Sequence, residues 1–267
     1  MYKWLFYFYL YSFFGWCFES TYVSLKEKRP VNRGFMRGPF LPIYGAGAVM
    51  MLVVSRPVQY SILLTYLAGC VGATLLEYIV GTVTEALFRV RYWDYTGKFL
   101  NFQGQICLSS TLVWGLFTVL MTRYIHRPIQ ELTEAMPQGL LFIITTLLTI
   151  YISADFSLSF KAALDMRDVL ARLENARQEM ERLQRRLDVV IAVADQALLE
   201  EKEELRMKFH ILRDRRLQLQ SQADFYRRRL LRDNPGMISK RFKGALEDLK
   251  EAAKEHYQKR RKSEEEK

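Results

Sequence analysis

Apolar residues run almost unbroken through five stretches of the first 160 positions, about Trp4–Leu25, Pro42–Val54, Val58–Thr84, Ile106–Tyr124 and Gly139–Phe160. Roughly 20 apolar residues at ~1.5 Å rise cross the ~30 Å hydrocarbon core of a bilayer, so four of the stretches predict full membrane spans. The second is short and stops at Arg56 and Pro57. It predicts a tilted or re-entrant helix. Beyond residue 160 the pattern changes. No Pro and no internal Gly occurs between Gly139 and Asn234, which predicts that the last span runs on into one long charged helix. Residues 161–232 alone would extend roughly 110 Å at ~1.5 Å each if unbroken.

Along that helix Met166, Val169, Leu173, Ala176, Met180, Leu183, Leu187, Val190, Ala194 and Ala197 recur at alternating steps of three and four, the seam of a coiled coil. A second register follows through Leu198, Leu205, Leu212, Leu219 and Tyr226. The one-residue slip near Ala197–Leu198 predicts a local distortion. Asn234-Pro235-Gly236 marks a turn. Ile238, Phe242, Leu246, Leu249, Ala253 and Tyr257 then mark a shorter amphipathic helix that could fold back on the distal part of the long one, and Lys259–Lys267 reads as a frayed, solvated end. The expected fold class is therefore all-α: a polytopic membrane bundle of about five spans over 1–160, a long cytoplasmic coiled-coil helix over 161–233, and a short amphipathic helix with a charged tail over 237–267.

Charge sharpens this division. Before residue 161 stand 12 Lys/Arg and 8 Asp/Glu; from 161 onward the counts are 27 and 21, so balances of +4 and +6 make up the net +10. The mean hydropathy of −0.08 averages two unlike halves. Loops that would share one side hold Lys26, Lys28, Arg29, Arg33, Arg37, Arg89, Arg91 and Lys98, against Lys3, Arg56, Arg123 and Arg127 on the other. The positive-inside rule then puts the N-terminus outside and the tail in the cytoplasm. A pI of 9.5 is accounted for by the same rule and by anionic lipid, and does not call for nucleic acid. The partners expected are the bilayer and, through residues 166–230, a second copy or another coiled-coil chain.

Three acids fall inside the apolar stretches: Glu19, Glu77 and Asp155. Such a group costs roughly 2.5–3.5 kcal/mol on insertion scales and usually faces a bundle interior. Gly69, Ala73, Glu77, Gly81 and Glu85 lie four apart on one helical stripe, as do Gly15 and Glu19, with Ser12 one turn before. Small residues let a second helix approach closely, so both acids should face protein. They read as a cation- or proton-binding pair, as a counter-charge for a substrate, or as structural acids satisfied by Arg33, Tyr44 or another donor. Asp155 reads as lying near the cytoplasmic end of its span.

Asn32–Gly47, NRGFMRGPFLPIYGAG, is the densest local signal. Arg33 and Arg37 stand beside glycines, where backbone N–H groups can approach an anion; the competing reading is a tight interfacial connection anchored on lipid phosphates. In 92–105, YWDYTGKFLNFQGQ, the rings of Tyr92, Trp93 and Tyr95 suit a headgroup-level aromatic belt, and Asp94 is within range of a pairing with Arg33 or Arg37. The candidate binding or gating set is Glu19, Glu77, Glu85, Arg33, Arg37, Asn32, Tyr44 and Asp94. Histidines at 126, 210 and 256 are scattered, Cys17, Cys70 and Cys107 lack metal-ligand spacing, and no GxxxxGK[ST] loop occurs. The residues thus offer no catalytic centre, metal or cofactor.

Three blocks carry a family resemblance: FFGWCFES at 13–20, NRGFMRGPFLPIYGAG at 32–47 and YWDYTGKFLNFQGQICL at 92–108, with Glu77, Thr82 and Glu85 between them. Over residues 5–125 the chain resembles a bacterial membrane family described as putative ABC-transporter type IV, or putative ABC transporter permease. The resemblance implies a separate ATPase subunit docking on the cytoplasmic side and carries no catalytic residues with it. The expected function is a permease-like pathway for a small solute. The alternative is a membrane-anchored scaffold whose coiled coil recruits a cytoplasmic partner; an intramembrane enzyme fits least.

Overall fold

The computed structural model describes residues 2–193, 199–221 and 225–265. Among these the chain is all-helical, with no strand. It divides into two compact units, one of residues 1–87 and 91–161, the other of residues 88–90 and 162–267.

The first unit starts with α1 (Tyr2–Glu27), α2 (Pro42–Ser55) and α3 (Ile62–Phe88). Pro42 opens α2 at a position where its missing N–H costs nothing. Arg56–Val58 closes α2 with a 3₁₀ turn, so α3 begins at Ile62 and not at Val58 as the apolar run suggested. Next come α4 (Leu108–Leu120), a π-helical turn over Met121–Ile125, and α5 (His126–Ala135), one continuous helical path. It runs past Tyr124, where the apolar pattern fades. Pro128 has no N–H to give the Tyr124 carbonyl, and the N–H of His126 bonds Met121 O in the wider π pattern. α6 (Gln138–Val193) carries the last apolar stretch.

Three of these helices are long and apolar enough to cross a bilayer: Ile62–Phe88, Leu108–Ala135 and Gln138–Ala192. α1 has the length, at 26 residues, but is rich in Tyr and is not among the three. The first unit is coated with apolar side chains. On α3 alone Leu63, Leu67, Val71, Leu75, Ile79 and Val83 are exposed, while Cys70, Ala73 and Glu77 are buried. Water would penalise that arrangement; lipid does not. The small residues mark close helix approaches, as their spacing predicts. A Cβ on Gly69 would stand 2.1 Å from the Thr118 hydroxyl, and one on Gly15 would stand 2.3 Å from the Tyr44 side chain. We expect Gly69→Leu to separate α3 from α4 and to cost roughly 1–3 kcal/mol, the usual range for overpacking. A lowered midpoint of thermal aggregation in detergent checks this.

In the second unit α6 continues through a buried stripe of Ala163, Met166, Leu170, Leu173 and Ala176. It is followed by α7 (Leu199–Ser221), α8 (Phe225–Asp233) and α9 (Lys243–Glu265). The single rod expected from the missing Pro and Gly does not form. Gly244 of α9 lies against the Arg177 guanidinium of α6, while Asp248, one turn on, pairs with Arg216 of α7 at 2.6 Å. Residues 177 and 216 of a continuous helix would be separated by roughly 58 Å at ~1.5 Å per residue. The chain therefore doubles back between them, and the seam is covered in part by its own unit. Leu205 and Leu212 of the second register are buried as its spacing requires. The expected distortion at Ala197–Leu198, and the seam positions Ala194 and Ala197, lie outside the described residues. α9 extends to Glu265, so helix covers most of the stretch expected to fray. Ser239 ties the segment before α9 to the unit by donating to Arg89 O at 2.6 Å.

Candidate functional site

Glu19 leaves α1 on the face lined by Ser12 and Gly15. Arg33 Nε donates to its Oε1 at 3.2 Å and the Tyr44 hydroxyl to its Oε2 at 2.5 Å. Gly15, one turn before, is what lets Tyr44 lie flat against α1. We expect Gly15→Val to push Tyr44 away and to remove the donor from Glu19; a hydrogen-bonded tyrosine signature in ultraviolet resonance Raman spectra, lost in the variant and in Tyr44→Phe alike, checks it.

Glu77 is only 6 % exposed. The Tyr95 hydroxyl donates to Oε1 at 3.0 Å and the Trp114 indole N–H to Oε2 at 2.9 Å. Neither Arg33 nor Tyr44 bonds it. Tyr95, bonded to Glu77, also lies within electrostatic reach of Glu19 and Tyr44. Burial, first, and then the nearby Glu77 carboxylate push the Tyr95 phenol well above its ordinary pKa, so it serves as a neutral donor.

Glu85 belongs to a separate knot. Arg91, 5 % exposed, reaches Glu85 at 2.6 Å and Asp94 at 3.3 Å, and donates to Gln103 O at 2.9 Å. The Glu85 carboxylate beside it raises the Arg91 pKa further still. Asp94 therefore pairs with Arg91 and not with Arg33 or Arg37: a three-residue spacing in a tight loop puts the two side chains on one side. Gln105 adds a donor to Glu85 at 2.6 Å. The belt reading of Tyr92, Trp93 and Tyr95 is corrected by the same loop. Trp93 Nε1 donates to Gln105 O, Tyr95 turns onto Glu77, and the Tyr92 hydroxyl is buried.

The Asn32–Gly47 loop does hold an anion at its backbone, but the anion is internal. Asp155 takes the N–H of Arg37 at 3.2 Å and that of Gly38 at 2.7 Å. It is buried at 7 % exposure and is not placed cheaply at a wet helix end. Asn32 pins the loop from the other side, accepting from Trp16 at 2.6 Å and donating to Arg37 O at 2.8 Å. Gly34, at φ +130°, adopts a backbone that other residues rarely tolerate. The loop has two readings, an anion site and a tight connection, and in it the N–H groups of Arg37 and Gly38 are taken up by Asp155 of the same unit.

A scan of family models matches residues 6–160 to the model described as putative ABC-transporter type IV. The chain belongs to that family. It is a membrane protein of the ABC transporter kind. No curated protein and no solved structure matches the chain. The matched segment of this ABC-transporter type IV protein contains every acid of the candidate site, from Glu19 to Asp155.

The structure thus brings Glu19, Arg33 and Tyr44 together, gathers Glu77, Tyr95 and Trp114 within electrostatic reach of them, and sets Glu85 and Asp94 apart around Arg91. Trp114 and Gln105 are not singled out by the sequence, and Tyr95 and Arg91 stand out in it only as a belt aromatic and a loop charge. Trp114 had a legible signal: Ser110, Trp114 and Thr118 of α4 and Thr122 of the π turn lie four apart, a polar stripe like that of α3. The contacts of that stripe fit it. Thr118 lies at Gly69, and Thr122 donates to Ser55 at 3.1 Å. Among the described residues no group of three or more His, Cys, Asp or Glu could hold a metal ion.

Proposed function

We propose that this chain is the membrane subunit of a transporter for a small solute, with Glu19 and Glu77 lining or gating the path and a separate subunit hydrolysing ATP. The observation that carries the reading is the pair of acids turned inward in an apolar-coated bundle, Glu19 held by Arg33 and Tyr44 and Glu77 by Tyr95 and Trp114. Intramembrane carboxylates are retained at a cost and mark solute or ion routes. Family membership supports the same reading.

The proposal includes five passes. α1 has 26 residues, and Pro42–Val58 offers a further apolar helix of 17 residues, the lower limit for crossing. Five passes and the distribution of Lys and Arg put the N-terminus outside and the tail in the cytoplasm. The α6–α9 unit then serves partner docking or self-association. It carries exposed Val189, Ile191, Met207, Ile211 and Leu217, more apolar surface than a solvated hairpin requires.

Purification of the intact protein from its native membrane in mild detergent should bring a P-loop ATPase in near-stoichiometric amount. Glu19→Gln and Glu77→Gln should each abolish transport in vesicles at unchanged protein level. Both variants active, together with loss of function on removing residues 166–267, would favour the scaffold over the permease.

A further inference from the structure

The two acids are not electrostatic equals. Glu19 has a cation, Arg33, at 3.2 Å. Among the described residues Glu77 forms no ion pair; its partners are the Tyr95 hydroxyl and the Trp114 indole. The groups facing it are Tyr95 and Cys107 from the 91–107 segment, and Ser110 and Trp114 from α4. Beyond Tyr95 stand Tyr44 of α2 and Glu19 of α1, the latter already balanced by Arg33. Arg91, the cation of the same segment, is held between two other carboxylates, Glu85 and Asp94. An ion buried without a counter-charge is expensive, and the ordinary relief is to neutralise it.

We propose that Glu77 is a reversible proton carrier, taking up one proton from water on Oε1 and releasing it again, while Glu19 remains the fixed half of an ion pair. The position of the proton follows from the donors. An indole N–H can only donate, so Trp114 keeps Oε2 as an acceptor in both states. The Tyr95 hydroxyl can donate or accept. It donates to Oε1 of the carboxylate, and accepts from the new O–H of the acid. The reaction is carboxylate plus proton giving carboxylic acid, with no other bond made or broken. Tyr95 turns its own proton toward the Tyr44–Glu19 side as it does so, and thereby reports the state of Glu77 to the other acid. A metal cation fits less well, because hard cations need several oxygen ligands and the N–H of Trp114 occupies one face of the carboxylate. Proton uptake by Glu77 stands independently; its coupling to solute movement rests on the permease reading.

The test is infrared difference spectroscopy of the full-length protein in lipid nanodiscs as pH is stepped. A carbonyl stretch of a protonated carboxyl should rise and fall with pH, disappear in Glu77→Gln, persist in Glu19→Gln, and shift in frequency in Tyr95→Phe. Emission of Trp114, isolated by replacing Trp4, Trp16 and Trp93 with Phe, should follow the same midpoint. If Glu77→Gln does not fold, Glu77→Asp supplies the assignment by moving the band. A carboxyl band that survives both substitutions, or none that titrates, overturns the proposal. A titrating Glu77 band in a protein that moves no solute upholds the proton site and rejects the permease reading alone.

Discussion

Replacing Arg91 with leucine is expected to lower folding stability more than any other single change in the first unit, by about 3–5 kcal/mol, the range for removing one partner of a buried ion pair. Three losses coincide. Glu85 loses a contact of 2.6 Å, Asp94 one of 3.3 Å, and the Gln103 carbonyl its donor at 2.9 Å. Leucine fills much of the space, so a cavity is not the cause; two carboxylates left without their shared cation are. Both acids are partly exposed, so water entering the loop would bring the effect toward the lower end. The loop then has little reason to keep its path, and Tyr95 leaves Glu77 with it. Thermal denaturation in detergent should show the loss. Adding Glu85→Gln to Arg91→Leu should restore part of it, because one of the two orphaned charges is gone. A double variant no more stable than the single one would mean that Arg91 acts through Gln103 and the backbone alone.

Much of this was visible in the sequence, and what was hidden has a physical pattern. The four-residue spacing of Gly69, Ala73, Glu77, Gly81 and Glu85 showed that the acids share a stripe and that the stripe faces protein. Periodicity defines a face but not what covers it, so Tyr95 and Trp114 were out of reach, although the Ser110–Trp114–Thr118–Thr122 stripe pointed inward. Composition misled at 92–105. Tyr and Trp beside a span suit a headgroup layer equally well whether the rings face lipid or fold back onto their own loop, and here a polar partner decides for two of the three: Gln105 O for Trp93 and Glu77 for Tyr95. The doubled-back helix was hidden for another reason. A helix needs no Pro or Gly to end when tertiary packing favours a reversal. The first turns of the apolar seam, at Met166, Leu173 and Ala176, are buried within the unit.

The stripe and the loop meet different solutions to one problem, a carboxylate without water. Glu19 is met by a guanidinium and a phenol, Glu77 by neutral donors, and Asp155 by main-chain N–H groups. Among the described residues only the first has a cation. Glu77 differs from Asp155 in its donors: the Tyr95 hydroxyl can turn from donating to accepting, while the N–H groups of Arg37 and Gly38 can only donate.

Asp155→Ala should therefore act on structure first. It removes the acceptor for two backbone N–H groups, those of Arg37 and Gly38. Hydrogen bonds to a charged group contribute about 1.5–3 kcal/mol each, and buried donors left without a partner forfeit their hydration as well. The expected loss is about 3 kcal/mol or more, felt locally before it is felt globally. Neither Asn32, bonded to Arg37 O, nor Gly34, committed to its unusual φ, can hold the 32–41 loop alone. Trypsin under native conditions in detergent should then cut after Arg33 and Arg37, bonds protected in the parent protein. Asp155→Asn should fall between the two, since an amide oxygen can accept from one N–H while its NH₂ repels the other. Equal protection of Arg33 and Arg37 in all three proteins would show that the loop is held by the packing of its Met36 and Phe40 against Tyr9 and Ile152 and that the carboxylate is dispensable.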